Sequence, residues 1–419
     1  MLSQSPPVRF SPSSPFHQQL KRAVDEYFRR TGQSRHGGWR LLLHAAILLA
    51  WLAASWSALM FADPGPVGVV VLTVSIGLAM AGIGFGVMHD ANHGSLSSNP
   101  RVNRVLGLTM ELLGGSSHLW RQKHNVLHHG FTNVAGTDAD IEPGPLLRFA
   151  PWQPWRPYHR LQHVYVWALY AFFPIRWFFW DDYRELVTGR IGGRSFAPAR
   201  GRTLAVALAG KVVFNLWAVV LPLALHPTWW LVPIWLLASF TLGTVLASVF
   251  QLAHCVGEAR FHDLPDGAQV STDWAEHQVT TTVDFGRENR LLGWYIGGLN
   301  FQVEHHLFPR ISHIHYPAIS RIVEATCHAH GVRYHAEPTL RSAVAANMRW
   351  LRAMGRPPVG TSAREAANEA AAGPALPAPG LSPPRAPETP RHSGTGRCGG
   401  VGPRRFAPGA RAGARPPVD

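Results

Sequence analysis

The stretch VGVVVLTVSIGLAMAGIGFGVMHDANH, residues 67–93, decides the fold of this chain. Its apolar part, residues 67–88, contains no charged residue and is long enough to cross a bilayer as a helix, which takes about 20 residues. The helix runs directly into His89 and His93, whose i, i+4 spacing places both imidazoles on one helix face. A span that ends in this pattern indicates a membrane protein that binds metal at the end of a transmembrane helix.

Two further histidine clusters follow, HNVLHH at residues 124–129 and QVEHH at residues 302–306. Together the three clusters contain more side chains than the four that complete a structural zinc site. They suffice for two metal ions with open positions, and imidazole suits iron among other first-row metals. The candidate ligands in these clusters are His89, His93, His124, His128, His129, Gln302, His305 and His306.

A metal-bound imidazole usually donates its other N–H group to an acceptor outside the ligand set. Four carboxylates lie close to the clusters in sequence, and we expect them to be these acceptors: Asp90, Asp138, Asp140 and Glu304.

Four uncharged or nearly uncharged stretches predict transmembrane helices at about 41–62, 67–88, 204–225 and 229–253. The short turns at 63–66 and 226–228 contain no Lys or Arg, whereas the other connections are rich in Arg. The positive-inside rule therefore places both termini and all three clusters on the cytoplasmic side. We predict an all-α integral membrane protein with four transmembrane helices in two hairpins, interfacial helices and a cytoplasmic helical cap that holds the metal site. Lys211, near the start of the third span, is expected to snorkel to the interface.

The remaining segments have distinct compositions. Residues 1–38 predict a basic cytoplasmic arm before a membrane domain at 39–350, and the Pro/Ala/Gly/Arg-rich residues 356–419 predict a disordered tail. Residues 105–119 are too short for a full span and predict an interfacial or re-entrant segment. The aromatic segment 146–183 is typical of helices at the membrane–water boundary.

Charge and cysteine content exclude other classes of protein. The formal net charge of +14 comes mostly from Arg in the terminal regions and loops, which favours contact with anionic lipid headgroups. We expect no nucleic-acid partner, because no basic stretch is interleaved with stacking aromatic residues in a soluble module. The three cysteines lack CxxC spacing, so the sequence supports neither a disulfide framework nor a zinc ribbon.

The three clusters, with the run GLNFQVEHHLFP at 298–309, resemble the histidine boxes of membrane fatty-acid desaturases. The third box, with Gln302 in place of its first histidine, resembles that of front-end desaturases and bacterial linoleoyl-CoA-desaturase-like proteins. The similarity covers residues 40–340 in order, spacing and membrane layout.

The resemblance implies a di-iron centre held by the seven box histidines, with no catalytic residue separate from the ligands. It also implies a ligand at the end of the last transmembrane helix, a position that His254 matches, while Gln302 either ligates, binds through water or orients His306. The implied reaction is O2-dependent insertion of a cis double bond into an acyl chain on CoA or lipid, on the carboxyl side of an existing double bond. Selectivity then requires a narrow apolar tunnel, for which segment 146–183 is a candidate wall.

Front-end desaturases often carry a fused cytochrome b5 domain with an HPGG motif, which is absent from this sequence. We therefore expect electrons from a separate ferredoxin or cytochrome b5 with its reductase, and a bacterial inner membrane as the setting. The basic residues Arg121, Lys123 and Arg148 are candidates for contact with the electron carrier or an anionic headgroup.

Histidines outside the box spacing are expected to be structural or to contact the ligands from outside: His118, His277, His313 and His315.

Two alternative functions share the predicted features. A membrane hydroxylase or mono-oxygenase has the same kind of histidine boxes and would add an oxygen atom to its substrate. A metal transporter would place its ligands near the bilayer midplane, whereas these clusters lie at helix ends.

Overall fold

The computed structural model describes residues 8–358. Residues 1–7 and most of the predicted tail, residues 359–419, lie outside the described residues. The described chain is mainly helical, as predicted, with three two-stranded sheets in addition. Its α-helices, α1–α17 in chain order, are Pro15–Thr31, Trp39–Phe61, Gly65–Ile83, Asp90–His93, Pro100–Gly107, Thr109–Leu112, Ser117–Trp120, Gln162–Arg176, Asp182–Thr188, Gly201–Asn215, Leu221–Leu225, Leu231–His254, Trp274–Thr281, Arg290–Tyr295, Gln302–Leu307, Tyr316–His330 and Leu340–Met354.

Four helical stretches of the described chain are long and apolar enough to span a membrane, which confirms the predicted number of spans. They are Trp39–Phe61, Gly65–His93, Gly201–Leu225 and Leu231–His254, and we call them the first to fourth spans. The second and third spans continue through π-helical turns at Gly84–His89 and Leu216–Val220.

The spans form two hairpins whose turns lie at the same end of the bundle. His226 Nε2 in the second turn donates to the Met60 carbonyl oxygen at the end of the first span, at 2.8 Å. Because the second and fourth spans both run away from these turns, His93 and His254 lie at the opposite end. The hairpins therefore bring two of the histidine segments to one end of the bundle.

Residues 105–119 form a re-entrant segment of short helices that reaches the middle of the third span. The Trp217 indole N–H donates to the Leu112 carbonyl oxygen at 3.0 Å, and Lys211 Nζ donates to the Gly114 carbonyl oxygen at 2.6 Å. Gly114 turns the chain in the left-handed region, with φ of 96°. These contacts with the third span favour the re-entrant expectation over the interfacial one.

The expectation that Lys211 snorkels to the interface is wrong. The side chain is only 3% exposed, and its Nζ forms an ion pair with Asp182 Oδ2 at 2.7 Å. Asp182 is the first residue of α9 and lies far from Lys211 in the sequence. The residues around Lys211 in the third span therefore did not indicate this partner. A charge buried in a span requires such a partner because the bilayer core provides no water.

The N-terminal arm packs against the cap and does not form a separate unit. Phe16, Leu20, Val24 and Phe28 recur every fourth residue along α1 and are buried. They belong to the same hydrophobic cluster as residues of α13, α15 and α16. The arm therefore supports the helix that carries the third histidine box.

The six strands are short and tie loops of the cap together. The first, Val8–Ser11, pairs in parallel with the fourth, Ala268–Asp273, which joins the arm to the segment before α13. The fifth and sixth also pair in parallel, and the second and third form an antiparallel hairpin. The strands β1–β6 are Val8–Ser11, Arg190–Ile191, Arg194–Ser195, Ala268–Asp273, Asp284–Phe285 and Ala336–Glu337.

Candidate metal centre

Two of the three histidine boxes lie on or next to π-helical turns rather than on regular α-helix. The turn Gly84–His89 carries the first histidine, and Arg121–His128 forms a π-helix through the second box. In that wider turn the His129 N–H donates to the His124 carbonyl oxygen at 2.9 Å, and the two Nε2 atoms lie 3.1 Å apart. The i, i+5 pair is therefore brought together here in addition to the i, i+4 pair His124–His128, whose ring centroids lie 5.2 Å apart. Such turns are rare and occur often at functional sites.

The structure gathers all eight predicted histidines into one buried cluster, in which seven of them form two neighbouring ligand sets. In each set the ligand atoms lie within 4.8 Å of one another. One, the four-histidine set, consists of His89, His93, His124 and His305. The other, the three-histidine set, consists of His128, His254 and His306.

His129 lies between the two sets. Its ligand atom groups with those of His305 and His306, which belong to different sets, and its Nε2 faces His124 Nε2. The cluster thus has two centres that share a boundary, which is the arrangement that two neighbouring metal ions require.

The donor atoms of this cluster fit metal binding. Buried nitrogen atoms normally have hydrogen-bond partners. Here a row of buried Nε2 atoms has none within the described structure: those of His89, His93, His128, His254, His305 and His306. Neutral imidazole nitrogens without other partners are the donors that first-row metals take.

Asp138 and Asp140 contact the ring nitrogen of His128 that faces away from the three-histidine set, as predicted. His128 Nδ1 lies 3.1 Å from both carboxylate oxygens of Asp138 and 3.6 Å from Asp140 Oδ2. Burial acts to lower the pKa of His128, but the charge and hydrogen bonds of Asp138 raise it overall. This contact orients the ring so that Nε2 faces the cluster, and it increases the basicity of that nitrogen.

Several outer partners were not predicted from the sequence. His306 Nδ1 lies 2.9 Å from Gln278 Oε1 and 3.2 Å from Thr132 Oγ1, and His305 Nδ1 lies 3.4 Å from the Tyr316 hydroxyl. None of these residues stands at a characteristic distance in sequence from the boxes, so the sequence did not indicate them. Trp120, which stacks on His124 with ring centroids 4.4 Å apart, does precede it by one helical turn.

Gln302, the first residue of α15, is buried and lies beside His254 of the three-histidine set. Whether it ligates, binds through water or orients His306 stays a prediction.

Of the other two predicted outer acceptors, Glu304 has a different role and Asp90 is shared. Glu304 accepts a hydrogen bond from the Tyr334 hydroxyl, at 3.2 Å, so it does not support a box histidine. Helix α15 directs it away from the cluster because it lies one residue from His305. Asp90 accepts a 2.7 Å hydrogen bond from His313 Nδ1 and lies 3.5 Å from His89 Nδ1.

Four histidines outside the boxes were expected to be structural or to contact the ligands from outside, and none of these four joins a group of three close ligand atoms within the described residues. His313 binds Asp90, and His315 Nε2 donates to the Ser34 carbonyl oxygen at 2.8 Å. His277 packs between Phe10 and His262. His118 is half-buried on α7.

Burial lowers the pKa of four box histidines outside the spans: His124, His129, His305 and His306. Removal from water disfavours the imidazolium form, and neighbouring histidines add repulsion to any second positive charge. These rings are therefore held neutral, which is the form that binds metal.

An apolar cavity of about 430 Å³ begins at the cluster, where His89 and His124 line it. Residues of the aromatic segment form one wall, among them Tyr170, Phe173 and Trp177. Lys123, Arg184 and Glu185 also line the cavity and give it a charged region. The shape and lining suit a long apolar chain whose polar end remains near these charges.

The three basic residues singled out from the sequence differ in their surroundings. Arg148 is buried and donates to the carbonyl oxygens of Gln153, Pro151 and Met354, so it is structural. Lys123 pairs with Glu185 at 3.0 Å beside the cavity. Arg121 is exposed and donates to Asn92 Oδ1 at 2.8 Å.

Comparison with known proteins agrees with this geometry. The family model for fatty acid desaturase matches residues 64–338. The chain is 38% identical to the sn-1 linoleoyl-lipid 6-desaturase of Synechocystis sp. over 83% of its own length and 98% of the relative's. It is 36% identical to the enzyme of that name from Arthrospira platensis, over 84% and 96% of the two lengths. The acyl-lipid (8-3)-desaturase of Physcomitrium patens is 33% identical, over 81% of this chain and 72% of the relative.

A buried histidine cluster at one end of four apolar spans, a long apolar cavity leading from it and these relatives lead to one conclusion. The chain belongs to the fatty acid desaturase family and is an integral membrane oxidoreductase that desaturates fatty-acyl chains.

Proposed function

We propose that this protein is a front-end acyl-lipid desaturase, which inserts a cis double bond between an existing double bond and the carboxyl end of a membrane-lipid acyl chain. The observation that carries the proposal is the apolar cavity that leads from the buried histidine cluster to a charged region. The relatives named 6-desaturase and (8-3)-desaturase support this regiochemistry. The glutamine-type third box, which contains Gln302, supports it as well.

We assign two iron ions to the cluster, one to each histidine set, with His129 between them. Gln302 would complete the surroundings of the second ion, either directly or through His254. Bound iron would supply the activation of O2 that removal of hydrogen from unactivated methylene carbons requires. In the overall reaction, O2, two electrons, two protons and the two hydrogens of adjacent methylene groups yield two water molecules and one double bond.

The side chains around the cluster perform the other tasks of the reaction. The aromatic wall and Phe250 exclude water and align the acyl chain, so that one pair of carbons lies beside the ligand sets. The charged region at Lys123 and Arg184 holds the polar headgroup. Because the headgroup is held in the charged region and the chain is aligned by the aromatic wall, the distance from the headgroup to the ligand sets would determine which carbons react.

We further propose that electrons come from an external ferredoxin or cytochrome b5 with its reductase. The setting is a bacterial inner membrane, with the histidine end of the bundle and both termini in the cytoplasm. The absence of Lys and Arg from the turns at 63–66 and 226–228 supports this orientation.

The test is expression in a desaturase-deficient host supplied with saturated, monounsaturated and linoleoyl chains, together with a ferredoxin system. We expect a new double bond on the carboxyl side of an existing one, located by mass spectrometry of the lipids. His305→Ala should abolish the product, whereas His328→Ala, which alters an exposed histidine of α16, should not.

A hydroxylated product would assign the protein to the mono-oxygenase alternative. An iron-loaded, folded protein that gives no product with any of these chains would contradict the proposal.

A further inference from the structure

A second apolar cavity, of about 450 Å³, adjoins the first on the side away from the histidines. We call the cavity at the histidines the near cavity and the second one the far cavity. The fourth span shows their order, because Phe250 and Leu246 line the near cavity, Leu242 lines both, and Ser239 and Trp235 line the far one. Successive helical turns thus pass from one cavity to the next.

Phe178 and Leu242 separate the two cavities. In the aromatic segment Trp177 lines the near cavity, Phe179 lines the far cavity, and Phe178 lines both. Phe178 and Leu242 are buried, with 4% and 2% of their surfaces exposed. The Phe178 ring also packs edge-on against Phe214, which lines the far cavity, with ring centroids 5.4 Å apart.

We propose that Phe178 and Leu242 form the floor of the acyl-chain site and set the longest methyl-terminal segment that the enzyme accepts. This inference rests on the proposed function, because it assigns the near cavity to the acyl chain. The far cavity then takes the methyl end of a longer chain only when the floor is removed. One methylene in an apolar pocket changes enzymatic discrimination by about 10- to 200-fold, so a fixed floor gives sharp selectivity.

The buried Lys211 side chain holds the backbone of Phe178 in place. Its Nζ donates to the Phe178 carbonyl oxygen at 3.1 Å, as well as to Asp182 Oδ2 and the Gly114 carbonyl oxygen. Lys211 lines neither cavity, so it acts through the backbone of Phe178. A charged residue inside a span is expensive and commonly has a functional role. Here that role is to anchor the floor between the third span and the re-entrant segment.

The other half of the floor is fixed by a close helix contact. A Cβ atom at Gly243 would overlap the carbonyl group of Tyr170, so only glycine allows α8 to approach the fourth span at this point. Ser239 Oγ also donates to the Ala171 carbonyl oxygen, at 3.3 Å. Leu242, beside Gly243, is therefore held in register with the helix that leads to Phe178.

The test compares Phe178→Ala with Phe179→Ala, a matched truncation that enlarges only the far cavity. Each variant receives linoleoyl chains and homologues that are two or four methylenes longer, and lipid products are quantified. We expect Phe178→Ala to raise the long-to-short product ratio by about tenfold or more. Phe179→Ala should leave the ratio unchanged. Equal ratios in wild type and Phe178→Ala, or the same rise in both variants, would overturn the proposal.

A second substitution checks that the gained length enters the far cavity. Ala218 lines only that cavity, and Ala218→Phe fills part of it. Added to Phe178→Ala, it should return the ratio to the wild-type value, whereas alone it should have no effect. Failure to reverse the gain would mean that longer chains leave the near cavity elsewhere.

The role of Lys211 has its own test. Lys211→Met combined with Asp182→Asn removes the ion pair without leaving an unpaired buried carboxylate and keeps an acceptor for the Trp177 indole N–H, so the protein is expected to fold. The anchor on Phe178 is still absent, and the long-to-short ratio should rise. An unchanged ratio would show that Lys211 only stabilises the bundle.

A readout independent of activity separates this proposal from the proposed function. Acyl lipids with a photoreactive diazirine at the methyl end are crosslinked to the iron-loaded protein, and the labelled peptides are mapped. Longer chains should label far-cavity residues such as Trp235 in Phe178→Ala but not in wild type. This labelling pattern without any desaturated product would support the floor and contradict the reaction. Far-cavity labelling in the wild type would contradict the floor.

Discussion

The two halves of the metal centre differ in composition and in their surroundings. The four-histidine set is complete in imidazoles, but its outer contacts are long, with His89 at 3.5 Å from Asp90 and His305 at 3.4 Å from Tyr316. The three-histidine set has one imidazole fewer and much closer outer partners, Asp138 on His128 and Gln278 on His306.

The difference indicates two ways of building a site for the same ion. Four imidazoles provide enough donors by number, and the buried surroundings keep them neutral. Three imidazoles need stronger donors, and an acceptor on the second ring nitrogen makes a histidine a stronger donor. The outer partners should therefore matter more for the three-histidine set, and the following predictions test this asymmetry.

Loss of one ligand from either set should have the largest effect. We expect His93→Ala and His306→Ala each to lower desaturation by more than about 100-fold, because loss of an outer partner alone costs 10- to 100-fold. Each variant should lose about half of the bound iron, measured by elemental analysis of purified protein. Full iron content in either variant would contradict its assignment as a ligand.

Asp138→Asn should have the next largest effect, a loss of iron affinity of about 10- to 100-fold that is confined to the three-histidine set. The matched control is Asp140→Asn, because Asp140 lies farther from His128 Nδ1, at 3.6 Å. Asp90→Asn tests the other set and should have a smaller effect than Asp138→Asn. Competition with a chelator measures all three, and equal losses would remove the asymmetry.

Acidification should release iron from the three-histidine set first. Asp138 raises the pKa of His128, whereas burial lowers those of His124 and His305 in the other set. A higher pKa means that a proton competes with iron at higher pH, and a lower pKa delays this competition. Iron content measured while the pH falls from about 8 should therefore decline in two steps. In Asp138→Asn the early step of iron loss should move to lower pH, since the contact that raises the pKa of His128 is lost.

Substitution of Gln302 should have a moderate effect that depends on the new side chain. Gln302→His adds a fourth imidazole and is expected to retain activity and hold iron at least as tightly. Gln302→Ala removes the amide group beside His254 and should weaken iron binding by about tenfold. Isothermal titration of the iron-depleted protein measures both changes, and identical behaviour of the two variants would exclude any contact between Gln302 and the metal.

The smallest effect is expected at a group outside the centre. Glu258, His335 and Glu337 also bring three ligand atoms within 4.8 Å of one another, but Glu258 and His335 are partly exposed. A partly exposed carboxylate is usually solvated, so Glu258→Gln should change neither iron content nor activity. A loss of metal in this variant would require a third site.

The sequence predicted most of the membrane architecture because the bilayer imposes simple rules on it. Each span must be long and apolar, which identifies the four spans, while the turns without basic residues support the proposed orientation of the hairpins. The predicted spans at 41–62 and 204–225 accordingly differ by only a few residues from Trp39–Phe61 and Gly201–Leu225. Seven of the candidate histidines were found in the same way, because the spacing within each box is local, whereas His254 was proposed only from the resemblance to desaturases.

Contacts between distant segments were not predictable by these rules. Gln278 lies 28 residues from the histidine that it contacts, and Asp182 lies 29 residues from Lys211. The arm at 1–38 was seen as basic, yet the four buried side chains of α1 determine its place beside the third box. The direction of Glu304 depended on Tyr334 and Asp284, which no local pattern connects with it.

The sequence by itself determined the spans, their two hairpins, the candidate ligand histidines and the family, since these depend mainly on the order and spacing of neighbouring residues. Only the tertiary structure decided how the eight histidines group, which residues contact the rings of His128, His305 and His306 from outside, and that Phe178 and Leu242 separate the two cavities. The physical reason is that buried polar groups and packed side chains take their partners from whichever segments the fold brings near. The packing of the whole bundle and cap decides which segments lie near each other. The spacing of residues along the chain does not reveal these contacts.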